Sequence, residues 1–407
     1  MQQYKRWVII TAAIFLLTSA TLINTINLYY MATLLFILPA VSYGIGMVSL
    51  RGLEVTRSTP ASAWEGEEVS FRVTARTTGR LPKLFLEFED AFPDYLYSTH
   101  ECPIGFQVTP GRDTLVDYKV TCEKRGIFEL KKLVVTAQDP LGIYSFSKSF
   151  PLISEVMVYP NPQPIPDILM TGTERYGVRE MPVANMRGSG VDPDGVREYV
   201  PGDSLRRVHW KSTARTGKLR VIEYEESRSV NVIIAVDLTK DSNVGEGVNS
   251  SLEYLVTMAA SVSQQALRQG ASVRLALGDV EGAAMQFGRG TDHLYNILAA
   301  LARCEDKDKV SFAERIRAKA GHIPPGTTLL ILTAKSDENT VQAISEYSAT
   351  GTYVVVVYAD PDSFEHNSNK SMSPFVEKCA GVGTEIYVLR QNEDRAILPE
   401  GFRYGAS

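Results

Sequence analysis

The 407-residue chain carries only four cysteines, Cys102, Cys122, Cys304 and Cys379, and no two form a C-x-x-C pair. That scarcity excludes a zinc ribbon and a thioredoxin-type centre, and free thiols are the expectation. A Cys102 to Cys122 bridge across a hairpin would require an oxidising compartment. Positive charge is also short: 42 Lys and Arg against 47 Asp and Glu give a net charge of -5 at pH 7. Without a global basic field, nucleic acid is not expected as a partner of the whole chain. A P-loop is missing, because Gly217-Lys218 has neither the earlier glycine nor the following hydroxyl of G-x-x-x-x-G-K-[ST]. So is a G-x-S-x-G nucleophile elbow. Asp192-Pro193-Asp194-Gly195 begins like a calcium loop, but its glycine comes too early and the later acids are absent, which leaves a turn.

What the sequence has in quantity is apolar residues, and they are concentrated at the front. The run WVIITAAIFLLTSATLINTI, Trp7 to Ile26, has roughly the 20 residues a helix needs to cross a hydrocarbon core. A second run, about Tyr29 to Leu50, follows a polar break from Asn24 to Asn27 that allows only a tight turn, so the spacing predicts a helical hairpin. Lys5 and Arg6 precede the first run, Arg51 and Arg57 follow the second, and the turn has no basic residue. The positive-inside rule then places both ends in the cytoplasm, at the plasma membrane. Pro39 is compatible with a span. A cleaved signal peptide ending near Ser19-Ala20 is the alternative, but it would leave the second apolar run as a hydrophobic stub.

Residues 52–160 carry short β-branched or aromatic segments divided by Gly and Pro: VSFRVTA, KLFLEFED, TLVDYKVTC, FELKKLVVTA and EVMVYP. This pattern predicts a small antiparallel β-sandwich, immunoglobulin-like in outline. Residues 161–229 hold a Pro/Gly-rich linker and the segment GDSLRRVHWKSTARTGKLRVIEYEE, Gly202 to Glu226. From residue 230 to 407 buried strands (VNVIIAVDL, SVRLALGD, AAMQFG, TTLLILTA, TYVVVVYAD, TEIYVL) alternate with amphipathic helices. That alternation predicts a doubly wound α/β domain whose ligands collect beyond the carboxyl ends of the strands. There Asp237, Thr239 and Asp241 stand at alternate positions and offer hard oxygen donors to a divalent cation such as magnesium. From spacing alone, Asp237 and Asp241 capping a turn and the next helix is the favoured reading.

The segment Arg197-Glu198-Tyr199, Pro201-Gly202-Asp203, Arg206, His209-Trp210, Ser212, Ala214-Arg215, Gly217-Lys218-Leu219 and Glu223 resembles the hallmark of the domain of unknown function 58 family. Lys124-Arg125-Gly126, Asp139-Pro140-Leu141-Gly142 and Val158-Tyr159-Pro160 resemble its upstream punctuation. The resemblance implies a membrane-anchored protein with a von Willebrand factor A-like domain and, as a partner, a MoxR-type AAA+ ATPase. It implies no assigned activity. By likeness to the metal loops of von Willebrand A domains, Asp237, Thr239 and Asp241 fall on the first loop and Thr291, in Gly290-Thr291-Asp292, on the second. The third loop departs from the pattern, with Ala334 where an Asp is expected and Asp337 three positions on.

Asp203, His209 and Ser212 are the residue types of a hydrolytic triad, but their closeness in sequence leaves little reach around a substrate. Arg206, Arg207, Lys211, Arg215, Lys218 and Arg220 cluster around Trp210, and Asp203, Glu223, Glu225 and Glu226 neutralise much of their charge. Such a mixture favours ion pairs and protein contacts over a phosphate track. The expectation is therefore a non-enzymatic membrane-anchored scaffold. In it Arg197, Asp203, Arg206, His209, Trp210, Lys211, Arg215 and Lys218 form an interaction segment, with Trp210 buried, Arg206 and Arg215 paired to acids, and Lys211 and Lys218 left for a partner. The competing expectation is a hydrolase-like site built on Asp203, His209 and Arg215.

Overall fold

The computed structural model describes residues 2–100, 102–165, 193–200, 208–224, 231–278, 282–320, 323–324, 327–365 and 374–391. The chain divides into two compact units, Met1–Asn161 with Leu301–Arg303 in one and Pro162–Ala300 with Cys304–Ser407 in the other.

The first unit begins with helices α1, Gln2–Ile23, and α2, Ile26–Ser49, joined by a break at Asn24 and Thr25. Both are long and apolar enough to cross a membrane, and α2 continues through Pro39. Nine strands follow: β1 (Leu53–Ser58), β2 (Ser62–Trp64), β3 (Glu68–Thr77), β4 (Lys83–Asp90), β5 (Leu96–Ser98), β6 (Ile104–Val108), β7 (Thr114–Cys122), β8 (Gly126–Gln138) and β9 (Ser145–Tyr159). They form a four-stranded sheet in the order β1-β3-β7-β5 and a five-stranded sheet in the order β2-β9-β8-β4-β6. Alternation dictates the packing: in β3 every second residue points inward, so Phe71, Val73 and Ala75 join Leu86, Phe88, Leu133, Val135 and Val156 of the other sheet in one core. The first sheet is antiparallel throughout, whereas β2 runs parallel to β9, so the second sheet is mixed and not purely antiparallel as expected. The reason is that β2, only three residues long, adds to the edge of β9 instead of pairing with its sequence neighbour.

Arg57 does not flank the second apolar helix as an exposed charge. Its side chain is fully buried, ion-paired to Asp90, and it donates to the carbonyls of Leu130, at 2.8 Å, and Leu152. Tyr118 donates to the same carboxylate at 2.6 Å, and burial first, then the nearby Asp90 charge, pushes its hydroxyl far above the usual tyrosine range.

The second unit contains a two-stranded antiparallel sheet, β10 (Pro193–Glu198) with β11 (Arg220–Tyr224), and between them the short helix α3, Trp210–Thr216. Its larger part is a five-stranded, all-parallel sheet of β12 (Asn231–Val236), β13 (Ser272–Ala276), β14 (Thr327–Thr333), β15 (Tyr353–Ala359) and β16 (Glu385–Leu389). Around it lie α4 (Ser251–Arg268), α5 (Gly290–Arg303), α6 (Phe312–Ala320), α7 (Glu338–Ala349), α8 (Pro361–Phe364) and α9 (Pro374–Gly381). The strand order is β13-β12-β14-β15-β16, so the order reverses between β12 and β14 and opens a crevice at their carboxyl ends. Buried on both faces, these strands read as unbroken apolar runs such as VIIAV and VVVVYA. The segment AAMQFG is not a strand. Ala283–Met285 form a single 3-10 turn, and only Gly288 pairs, antiparallel, with Val273 at the sheet edge.

Candidate functional site

The switch point holds Asp237. Its backbone N–H donates to Leu332 O at 2.8 Å, which extends the β12–β14 ladder and fixes the side chain between the two strand ends. One carboxylate oxygen accepts from the Thr239 amide at 3.0 Å and the other from the Thr333 hydroxyl at 2.8 Å. Burial pushes this carboxyl above the usual range, against the pull of Thr239, Thr333 and the positive charge of Lys335. The loop beyond is pinned as well: Asn243 Nδ2 donates to Asp237 O at 3.3 Å, and Ser251 Oγ donates to Asn243 Oδ1 at 3.2 Å. Asp241 sits at φ 62 and is exposed. Asp308, which no sequence motif marks, closes the crevice on the β13 side. It exchanges backbone bonds with Leu238 and Lys240 at 2.9 and 2.8 Å and pairs with Arg315. A Cβ on Gly278 would meet its carboxylate at 2.3 Å, so the chain needs glycine there.

Thr291 does not join this group. Gly288 exchanges backbone hydrogen bonds with Val273, Arg289 Nε donates to Ser272 Oγ at 2.6 Å, and His293 Nε2 bonds Val273 O at 2.8 Å. These contacts hold the start of α5 at the amino end of β13, whereas Asp237 follows the carboxyl end of β12. The displaced acid of the third loop, Asp337, is the N-cap of α7 and accepts from the Asn339 amide at 3.3 Å. Among the described residues no three His, Cys, Asp or Glu side chains come together in a way that would hold a metal ion. With both Asp237 oxygens engaged, Ala334 in place of an acid and Lys335 supplying positive charge, the donor set does not fit a magnesium ion.

The second candidate is the signature segment. Asp203 and Arg206 lie outside the described residues; Arg197 lies in β10. His209 is the N-cap of α3: its Nδ1 accepts from the Ser212 amide at 3.2 Å, and its own N–H donates to Arg220 O at 2.8 Å. Gly217, at φ 69, ends the helix in the left-handed conformation, and the Arg220 amide donates to Thr213 Oγ1 at 3.0 Å. The clasp turns Trp210 outward. It is 68% exposed, not buried as expected. Lys211 and Arg215 are exposed too, and no acid among the described residues reaches Arg215. Lys218 is not free, since it pairs with Glu198 at 3.1 Å.

Residues 195–323 match the family model described as "Protein of unknown function DUF58". Over those residues the chain resembles the DUF58 family. It is 25% identical over 283 residues to "Uncharacterized protein YeaD" of Bacillus subtilis, a match covering 67% of this chain and 69% of that one. It is 30% identical over 118 residues to "Uncharacterized protein Rv1480" of Mycobacterium tuberculosis, covering 28% of this chain and 37% of the relative. Among solved structures, a CARDB domain from Pyrococcus furiosus covers 26% of this chain and 94% of its own at 11% identity, with a TM-score of 0.18 that says nothing about the fold. The DUF58 match takes in both candidates, the clasp around α3 and the Asp237 crevice as far as Asp308.

Proposed function

We propose that this protein is a non-enzymatic, membrane-anchored scaffold. Its helical hairpin holds the soluble units on the cytoplasmic side, and α3 offers a docking element to a protein partner. The observation that carries the reading is the exposed Trp210 beside exposed Lys211 and Arg215, on a helix capped at both ends. Tryptophan and arginine are the side chains that dominate protein–protein binding energy when a partner covers them. The hydrolase alternative is weakened at the same spot. His209 spends Nδ1 on capping the Ser212 amide, so Ser212 is the capped residue and not a nucleophile presented to a base. By family resemblance the partner is a MoxR-type AAA+ ATPase, and the α/β domain is von Willebrand factor A-like with its metal loop replaced by a hydrogen-bonded one. The two-sheet domain is, in this reading, an immunoglobulin-like sandwich.

The test is affinity capture of the intact protein from detergent-solubilised membranes. Wild type is expected to retain an AAA+ ATPase and to show no hydrolytic turnover of its own, and Trp210→Ala with Lys211→Glu to lose the ATPase. A turnover abolished by His209→Ala, with capture unchanged in the Trp210 variant, sinks the scaffold reading.

A further inference from the structure

The β8–β9 hairpin ends in Asp139-Pro140-Leu141-Gly142, and this tip grips the helical hairpin from both sides. Asp139 is buried and accepts from the Ser42 hydroxyl of α2 while also taking the amides of Leu141, Ile143 and Tyr144 at 3.2, 2.6 and 2.6 Å. Burial opposes its charge, but these donors outweigh burial and hold the carboxyl below the usual range. From α1, Arg6 Nε donates to Ile143 O at 3.0 Å and its guanidinium lies 4.7 Å from the centre of the Tyr144 ring. Tyr43 of α2 meets Tyr144 and Phe146 edge-on at 5.3 and 5.2 Å. Gly46 lies so close to Phe146 that a Cβ would stand 2.7 Å from the ring.

These contacts fix the depth of the tip. Arg6 and Tyr43 each stand about 18 residues from the break between the helices, about 27 Å at the helical rise, against a hydrocarbon core of about 30 Å. Their level is therefore the edge of the apolar layer. The two outermost residues of the tip, Pro140 and Leu141, are exposed and uncharged. Beside them stand Lys5 and Arg6, and the exposed Trp7 begins the apolar run. An apolar tip flanked by cations and an indole is the composition that settles at the boundary between headgroups and acyl chains.

We infer that the Asp139–Gly142 tip is a membrane-seated element: Pro140 and Leu141 enter the lipid boundary while Lys5 and Arg6 meet headgroup phosphates. The soluble sheets are thereby locked to the bilayer at a second point besides the chain connection after α2. This rests on the reading of α1 and α2 as membrane spans. The test uses the full-length protein with its cysteines replaced by serine, reconstituted in phosphatidylcholine–phosphatidylglycerol vesicles. A nitroxide is placed at Leu141→Cys, at Phe15→Cys within α1, and at Ile153→Cys, eight residues along β9 from its start. Relaxation by oxygen and by a water-soluble nickel chelate reports depth. The expected result is a lipid-like ratio at Phe15 and Leu141 and a water-like ratio at Ile153. Phe15 in lipid with Leu141 freely reached by nickel overturns the seated tip alone. Water-like ratios at both overturn the spanning helices themselves. A Leu141 label shielded from both reagents means that protein, a second copy or a partner, covers the tip, and this too overturns the proposal.

Discussion

Replacing Thr333 with Val tests what holds the switch point together. Valine keeps the shape of threonine but removes the hydroxyl that donates to Asp237 at 2.8 Å, and Thr333 is itself fully buried. At pH 7 the variant leaves a carboxylate that is 2% exposed without one of its two short donors. A hydrogen bond to a charged group is worth about 1.5–3 kcal/mol, so a loss of about 2 kcal/mol is expected. The sign with pH follows from Asp237. Its folded-state carboxyl lies above the ordinary value, so the stability it contributes is fully present below the unfolded value and is lost as pH rises through the folded one. As pH falls the group takes up its proton sooner than an ordinary carboxyl does, the lost bond becomes one between neutral groups, and the cost falls to about 1 kcal/mol. Native-state hydrogen exchange of the β12 and β14 amides reads this in the intact protein, domain by domain. The protection of those amides is expected to drop about 30-fold at pH 7, to drop less near pH 4, and to be indifferent to added magnesium in wild type and variant alike. An equal loss at both pH values would refute the role assigned to the Asp237 charge. Magnesium that raises protection in wild type and not in Asp237→Asn would refute the metal-free description.

Asp90→Ala leaves Arg57 buried without its counter-ion, a change that costs about 3–5 kcal/mol. The denaturation midpoint of the two-sheet domain should fall accordingly, and Arg57→Met with Asp90→Leu should be markedly milder; equal losses would mean that packing, not the uncompensated charge, sets the cost. Cys102 is the one exposed thiol of the four, while burial pushes Cys122 up to about 11 and Cys379 up to about 12. An impermeant maleimide should label Cys102 alone in permeabilised cells and nothing in intact ones, and labelling from outside intact cells would reverse the proposed orientation.

The periodic parts of this chain announce themselves. The centres of VNVIIAVDL, TTLLILTA and TYVVVVYAD are unbroken apolar runs because both faces of their sheet are covered, and that property survives in sequence. What does not survive is register. Arg57 reads as a flanking charge after an apolar run, and only its place in β1, across the core from Asp90 of β4, makes it a buried ion. The Gly290-Thr291-Asp292 triplet has the look of a loop that feeds a helix at a binding edge. The single antiparallel bridge of Gly288 to Val273 sends it to the other end of the sheet. Asp308 has no motif at all, since its place comes from backbone pairing with Leu238 and Lys240, about seventy positions earlier in the chain. Each of these is a long-range pairing decided by which edge is free, and no local pattern encodes that.

Trp210 is the instructive case, because composition argued for burying it. A seven-residue helix has almost no stability of its own, as nucleation costs more than so few hydrogen bonds return. Here every loose end is tied within the motif. His209 caps the amino end, Gly217 turns the carboxyl end, Thr213 takes the Arg220 amide, and the His209 amide reaches back to Arg220 O. The histidine beside the tryptophan thus has a physical account that needs no catalysis: its ring nitrogen does the work an Asn or Ser oxygen does at other helix starts. With the helix held by its caps and by β11, the indole is not required as packing. Four separate ties in seven residues hold this helix without its largest side chain, and that is why the proposed docking role can be tested at Trp210 without unfolding the helix.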